Sequence, residues 1–88
     1  MPKNVKQFYI KITNPEGLVY GGNAISVSST NDTGPFDVLY MHTNFITIIK
    51  EKLILRTSEG DVKEYKLDTG ILRTAENVVD VYLGIEVH

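Results

Sequence analysis

The chain has 88 residues, 42% of them hydrophobic, no cysteine and a formal net charge of −2. That length holds one core, so a single domain over residues 1–88 is expected. The apolar content excludes a disordered chain, and the mild acidity disfavours a nucleic-acid partner, which would need a concentrated basic face. Absence of cysteine favours a reducing compartment, no run approaches the ~18 apolar residues that would span a bilayer, and no signal-peptide core is seen.

Strand signals dominate from the start. Phe8, Ile10 and Ile12 alternate with Tyr9, Lys11 and Thr13, the period of a half-buried strand. Asn14-Pro15-Glu16-Gly17 turns the chain, because proline presets φ and glycine accepts a positive φ at the exit. Leu18-Val19-Tyr20 resumes extended structure, and Gly21-Gly22 reads as a bulge or sharp bend. Ile25 and Val27 alternate with Ser26 and Ser28, and the polar stretch from Ser29 to Gly34 reads as an exposed loop. Phe36 to Leu39 and Phe45 to Ile49 are the next strands, followed by Lys50-Glu51-Lys52 as a charged turn.

Leu53-Ile54-Leu55-Arg56 and Val62-Lys63-Glu64-Tyr65-Lys66-Leu67 flank Ser58-Glu59-Gly60-Asp61, a hairpin with glycine in its loop. Asp68-Thr69-Gly70 turns into Ile71-Leu72-Arg73. Ala75-Glu76-Asn77 is another tight turn, and Val79, Val81 and Leu83 alternate with their neighbours. No window sustains apolar spacing at i, i+3, i+4. Short strands of about three to seven residues separated by turn residues predict an antiparallel all-β sandwich of two packed sheets, or a barrel.

Little in the sequence resembles catalytic chemistry. Zinc needs three or four ligands, and the histidines are only His42 and the terminal His88. His42 is read as a structural residue at the end of a strand. No serine sits in a G-x-S-x-G elbow, and Ser26 and Ser28 fit the solvent side of a strand. Asp32, Asp37, Asp61 and Asp68 lie in or beside turns, where aspartate caps local backbone groups. No glycine cluster forms a phosphate-cradling loop, and the tyrosines are too dispersed for a base-stacking platform. The sequon Asn31-Asp32-Thr33, with no secretory signal before it, is read as fortuitous. What remains is surface recognition by the stretch from Thr30 to Pro35, with the apolar Phe36 at its root.

Four segments carry a family resemblance. Pro15-Glu16-Gly17-Leu18-Val19-Tyr20-Gly21-Gly22 fits a "P-E-x-x-x-Y-x-G" segment. The run from Gly34-Pro35-Phe36-Asp37-Val38-Leu39 through Tyr40-Met41-His42-Thr43-Asn44-Phe45 fits "G-x-F/L-x-I/V-L-P-x-H-x-N/P-F/L" without a gap. Asp68-Thr69-Gly70-Ile71-Leu72-Arg73 and Asn77 to Leu83 complete the order. Over residues 7 to 84 the chain resembles the N-terminal domain of the epsilon subunit of rotary F-type ATP synthases, called delta in mitochondria. It departs at Tyr40, where the family usually has proline, and no helical sequence follows to His88.

The resemblance implies a sandwich of two roughly five-stranded sheets without the C-terminal helical hairpin. It also implies a non-catalytic rotor component at the foot of the central stalk, in contact with the gamma subunit and the c-ring. The loop of Asn31, Asp32, Thr33, Gly34, Pro35, Phe36 and Asp37, with Tyr40 and His42, is expected to face the ring, and another surface to face gamma. Phe36 and Tyr40 are the expected apolar anchors, so that Phe36→Ala would weaken assembly without unfolding the domain. No cofactor, metal or nucleic acid is expected, nor rotor inhibition or ATP binding by a hairpin. The expected location is cytoplasmic, peripheral to the inner face of the plasma membrane through the complex, without direct membrane insertion. The alternatives are a free-standing β-sandwich protein-binding module and, with less support, a small β-sandwich enzyme.

Overall fold

Residues 6–40 and 44–84 are described by a computed structural model. They form β1 (Phe8–Asn14), β2 (Gly17–Asn31), β3 (Gly34–Leu39), β4 (Phe45–Thr57), β5 (Val62–Ala75) and β6 (Val78–Leu83). No helix occurs among the described residues. All strands belong to one hydrogen-bonded sheet in the order β1-β6-β5-β4-β2-β3, closed by a further β1–β2 pairing. Five strands therefore make a ring, and β3 hangs on the outside of β2.

The ring corrects the expectation of purely antiparallel pairing, because β1 and β6 run parallel, with Ile10 beside Val79 and Ile12 beside Val81. The reason is topological. A ring of five strands cannot alternate direction at every step, so one pair must run the same way. The parallel pair falls where no hairpin is required, between the first and last strands.

The strands are also longer than expected. β2, β4 and β5 have 15, 13 and 14 residues. Several segments that looked like turns are irregularities inside them. Lys50-Glu51-Lys52 is a bulge in β4, and Glu51 takes a left-handed φ of 76°. Asp68-Thr69-Gly70 is the matching offset in β5, where the register moves from Ile49↔Gly70 to Glu51↔Leu67. β2 passes through Gly21-Gly22 without a break and carries its extra residues at Val19 and Ile25. Each offset lets a strand bend and change neighbours. The first half of β4 pairs with the second half of β5, and the second half of β4 pairs with both β2 and the first half of β5.

The alternation read from the sequence sorts the side chains except at the β2 bulge, where Ala24 enters the core in place of Ile25 and Ser26, expected on the solvent side, is only 9% exposed. Phe8, Ile10, Ile12, Val27, Val38, Ile49, Leu53, Leu55, Leu72, Val79 and Val81 are fully buried in one cluster. Each such side chain contributes about 1.5–3 kcal/mol relative to exposure. The buried hydroxyls of Ser29, Thr57 and Thr74 are partnered, as burial in low dielectric demands. Ser29 Oγ donates to the Lys52 carbonyl at 2.7 Å, and Thr57 Oγ1 accepts from the Asp61 amide at 3.0 Å. Thr74 Oγ1 accepts from the Phe45 amide at 3.0 Å. Gly70 is required by close packing, since a Cβ there would lie 2.8 Å from the Tyr82 carbonyl oxygen.

Candidate functional site

The expected loop from Ser29 to Gly34 is instead a tight hairpin. β2 runs to Asn31, β3 starts at Gly34, and only Asp32 and Thr33 are unpaired. Asn31 builds this tip. Its Oδ1 accepts from the Thr33 amide at 2.9 Å and from Thr33 Oγ1 at 2.7 Å. Its Nδ2 donates to Thr47 Oγ1 at 3.1 Å, tying the tip to the start of β4. Gly34 has φ 120°, which closes the hairpin at no Cβ cost. The Asp32 side chain is fully exposed and lies 3.6 Å from Lys50 Nζ. A solvent-exposed pair of that kind contributes little to stability but fixes charge at the tip.

From the tip, β3 separates the remaining candidates by the pleat. Phe36 points inward, packs against the core and meets Phe45 edge to face at 6.3 Å. Asp37 points outward and accepts a 2.5 Å hydrogen bond from Ser28 Oγ on the paired strand. Tyr40 follows the far end of β3, roughly 20 Å from the tip by strand rise. It is half-buried, with Lys6 Nζ 5.3 Å from its ring centroid. Asn31 to Asp37 therefore cluster, and Tyr40 does not join them. His42 lies outside the described residues.

Beside the tip is a hollow of about 350 Å³ lined by Pro35, Phe36 and Asp37 and also by Ser28, Ser29, Thr30, Glu51, Lys52 and Ile54. Its origin is the β4 bulge. Between Ser28↔Ile54 and Thr30↔Lys50 the single residue Ser29 faces three residues of β4, so that strand bows away from β2. The Ser29–Lys52 hydrogen bond holds the bowed segment. The β4 and Ser28 members of this lining were not foreseen. Their only sequence signal was the charged triplet Lys50-Glu51-Lys52 inside an otherwise apolar run, which also suits a turn.

Among the described residues there is no group of three or more His, Cys, Asp or Glu able to hold a metal. Among the described residues burial perturbs one titration, on β5 beside Leu53. Desolvation, and then the neighbouring Tyr20, push the Tyr65 phenol above its ordinary range.

Comparison with known proteins places this geometry. Residues 7–83 match the family described as ATP synthase, Delta/Epsilon chain, beta-sandwich domain. The chain belongs to this family. It corresponds to the N-terminal domain of the epsilon chain. It is 32% identical over 72 residues to the ATP synthase epsilon chain of Helicobacter pylori strain Shi470, covering 82% of this chain and 58% of that one. To the epsilon chain of Sulfurimonas denitrificans it is 29% identical over 73 residues, covering 82% and 56%. The chain thus spans somewhat more than half the length of these relatives.

The fold recurs in solved assemblies. A chain in the OSCP/F1/c-ring structure of the Euglena gracilis mitochondrial ATP synthase superposes with a TM-score of 0.83 at 16% identity, covering 99% of this chain and 57% of that one. A chain in the central stalk/c-ring structure of the Tetrahymena thermophila mitochondrial enzyme gives 0.71 at 12%, covering 94% and 66%. At such identities these two establish the fold. No helix of the described residues is long and apolar enough to cross a membrane.

Proposed function

We propose that this chain is a non-catalytic central-stalk component of a rotary F-type ATP synthase, bridging the gamma subunit and the c-ring during ion-driven ATP synthesis. The single observation that carries the reading is the family match over residues 7–83, nearly the whole strand scaffold. On this reading the 88 residues act as one domain. The closed sheet is then the family's sandwich, a barrel flattened into two layers that share β2, β4 and β5 across the bulged bends.

The Asp32–Thr33 tip, with Pro35, Asp37 and the hollow behind them, faces the ring. The tip suits a contact with polar loops, because its groups are held by Asn31 and are already ordered before binding. A rotor clamp must pass torque without deforming, and a close-packed core with fully buried Leu, Ile and Val has low compressibility. The domain works peripheral to the membrane through the complex, on the cytoplasmic side of the plasma membrane, with no cofactor of its own.

Native mass spectrometry after co-expression with the cognate gamma subunit and c-ring tests this directly. A ternary species containing the full chain is expected. A chain that stays a free monomer while gamma and the ring assemble would overturn the reading.

A further inference from the structure

The β4 bulge does more than bend its strand. In a regular strand Glu51 and Lys52 would point to opposite faces. Here Glu51 takes a φ of 76°, and both residues line the hollow behind the hairpin tip. A residue with a side chain is strained in the left-handed region, and such strain collects at functional sites, where the surroundings over-determine it. The surroundings do so here. Buried Ser29 donates its hydroxyl to the Lys52 carbonyl at 2.7 Å and fixes the bow. On the β3 wall, Ser28 Oγ donates to Asp37 Oδ1 at 2.5 Å and holds that carboxylate in place. Asp37 Oδ2 and the Glu51 carboxylate accept no hydrogen bond from any described residue and pair with no described cation. The adjacent lysine of β4, Lys50, is drawn away to Asp32, 3.6 Å distant.

We propose that the hollow is a binding site for a small aromatic amine, an ammonium group joined by a short chain to an aromatic ring. The ammonium ion sits between Asp37 and Glu51, and the ring lies on the apolar wall of Pro35, Phe36 and Ile54. Charge selects the sign of the ligand. The lining sets two carboxylates against the single cation of Lys52, so a cation is attracted and an anion of the same shape is repelled. Size selects a free molecule over the tip of a partner's side chain. The hollow of about 350 Å³ has room for roughly a dozen waters at ~30 Å³ each. Small-molecule sites begin near this volume, at about 300 Å³. A lysine side chain entering alone would leave part of the apolar wall uncovered. That wall is already ordered, because Phe36 packs on the core and stands edge to face with Phe45 at 6.3 Å, so binding adds little ordering cost. The site does not depend on the stalk role proposed above.

The test is titration of the isotopically labelled full chain with tryptamine, followed by amide chemical shifts. Tryptamine is expected to bind with a Kd of about 1 mM, the strength expected of so small a ligand. The amides of Ser28, Asp37, Glu51 and Ile54 are expected to shift together. Indole-3-propionate, the same ring on an anionic tail, is expected to shift none of them. Tryptophol, the uncharged alcohol, is expected to bind at least roughly tenfold more weakly. Asp37→Asn keeps an acceptor for Ser28 and removes only the charge, and Glu51→Gln removes the charge on β4. Each is expected to raise the Kd about fivefold, the upper range for an exposed ion pair, and the pair to abolish binding. Glu16→Gln, the same change of net charge in the exposed turn between β1 and β2, is expected to bind like wild type.

Shifts scattered over the whole surface would overturn the assignment, as would equal binding of indole-3-propionate. A folded Asp37→Asn/Glu51→Gln variant that binds like wild type would also overturn it, and the two single variants decide the matter should the double variant fail to fold. Loss of binding in Glu16→Gln would reduce the effect to general charge attraction and sink the site. Nα-acetyl-lysine methylamide is expected to bind at least roughly tenfold more weakly than tryptamine, because it leaves the apolar wall bare. Equal binding would give the hollow to a basic side chain of a protein partner instead.

Discussion

Phe36 separates two roles that its neighbours in sequence had run together. It sits in the segment expected to touch the ring, where Phe36→Ala would weaken assembly and leave the domain intact. Its side chain instead turns inward, packs against the core cluster and stands edge to face with Phe45 at 6.3 Å. A fully buried Phe→Ala change costs about 3–5 kcal/mol. Phe36 is half-buried. Scaling that cost by half, with the aromatic pair included, gives a loss of about 2 kcal/mol. For a domain of this size such a loss lowers the Tm by roughly 10 °C. Differential scanning calorimetry of the isolated chain reads it directly. Asp37→Ala is the control. It removes the hydrogen bond from Ser28 on the exposed outer side, so the Tm is expected to fall by only a few degrees, since such a bond contributes about 1 kcal/mol. If Phe36→Ala melted with wild type, the inward packing would be irrelevant to stability and Phe36 would return to the list of contact anchors.

Other perturbations follow from single features. Gly70→Ala places a Cβ 2.8 Å from the Tyr82 carbonyl, so β5 and β6 must separate there. Hydrogen exchange is expected to show lost protection in β6, with a Tm well below wild type. Glu51→Gly relieves a left-handed residue at φ 76°, a conformation that costs a side-chain-bearing residue about 1–2 kcal/mol. Less the entropy glycine adds to the unfolded chain, the urea midpoint is expected to rise by the equivalent of about 0.5 kcal/mol. Glu76 and Asn77 occupy a two-residue hairpin turn with φ of 50° and 65°. Glu76→Asn, which suits that turn, is expected to raise the Tm slightly. The Tyr65 phenol, raised first by burial and then by Tyr20, holds its proton more tightly folded than unfolded. Its contribution to stability is present below the ordinary tyrosine pKa of about 10 and is lost as pH rises through the higher folded value. Tyr65→Phe is expected to flatten that alkaline decline in a pH series of melts.

The period-2 alternation decided the inside and outside of nearly every strand, because that signal is set by a residue's own neighbours. Ile10, Val27, Leu55, Leu72 and Val81 all landed in the core where the pattern put them. Strand length and the corners were not legible in the same way. Lys50-Glu51-Lys52, Asp68-Thr69-Gly70 and Gly21-Gly22 have turn chemistry, yet each lies within a continuous strand. A turn and a bulge both call for a residue that tolerates an irregular φ. Only the register of the partner strand tells them apart, and that is non-local. The same holds for the hollow. Pro35, Phe36 and Asp37 were singled out from one segment, but Glu51, Lys52 and Ile54 reach it only because β4 bows away from Ser29. The hairpin tip and its hollow were thus half visible.

The bulges also decide how the two ends of the long strands are joined. β2 carries Leu18 at its start, on an outer face that also exposes the apolar side chains of Ile46, Ile48 and Tyr82, and Asn31 at the hairpin tip at its end. β4 runs the other way, from Ile46 and Ile48 on the apolar face to Lys52 and Ile54 at the hollow. No loop intervenes in either path, and both strands are anchored between the surfaces by buried residues, Ala24 and Val27 in one and Ile49 and Leu53 in the other. A load applied at the tip therefore reaches the opposite face through two continuous strands held in a packed core, whose stiffness does not depend on any flexible connection. Had the charged and glycine-containing triplets been true turns, the same residues would have placed a hinge between the surfaces. Rebuilding one of those bends as a flexible segment, by inserting two glycines after Glu51, is expected to leave binding at each surface separately measurable. Coupling between ATP hydrolysis and ion pumping in the reconstituted enzyme is expected to drop. Unchanged coupling in a folded insertion variant would refute the rigid-strand argument.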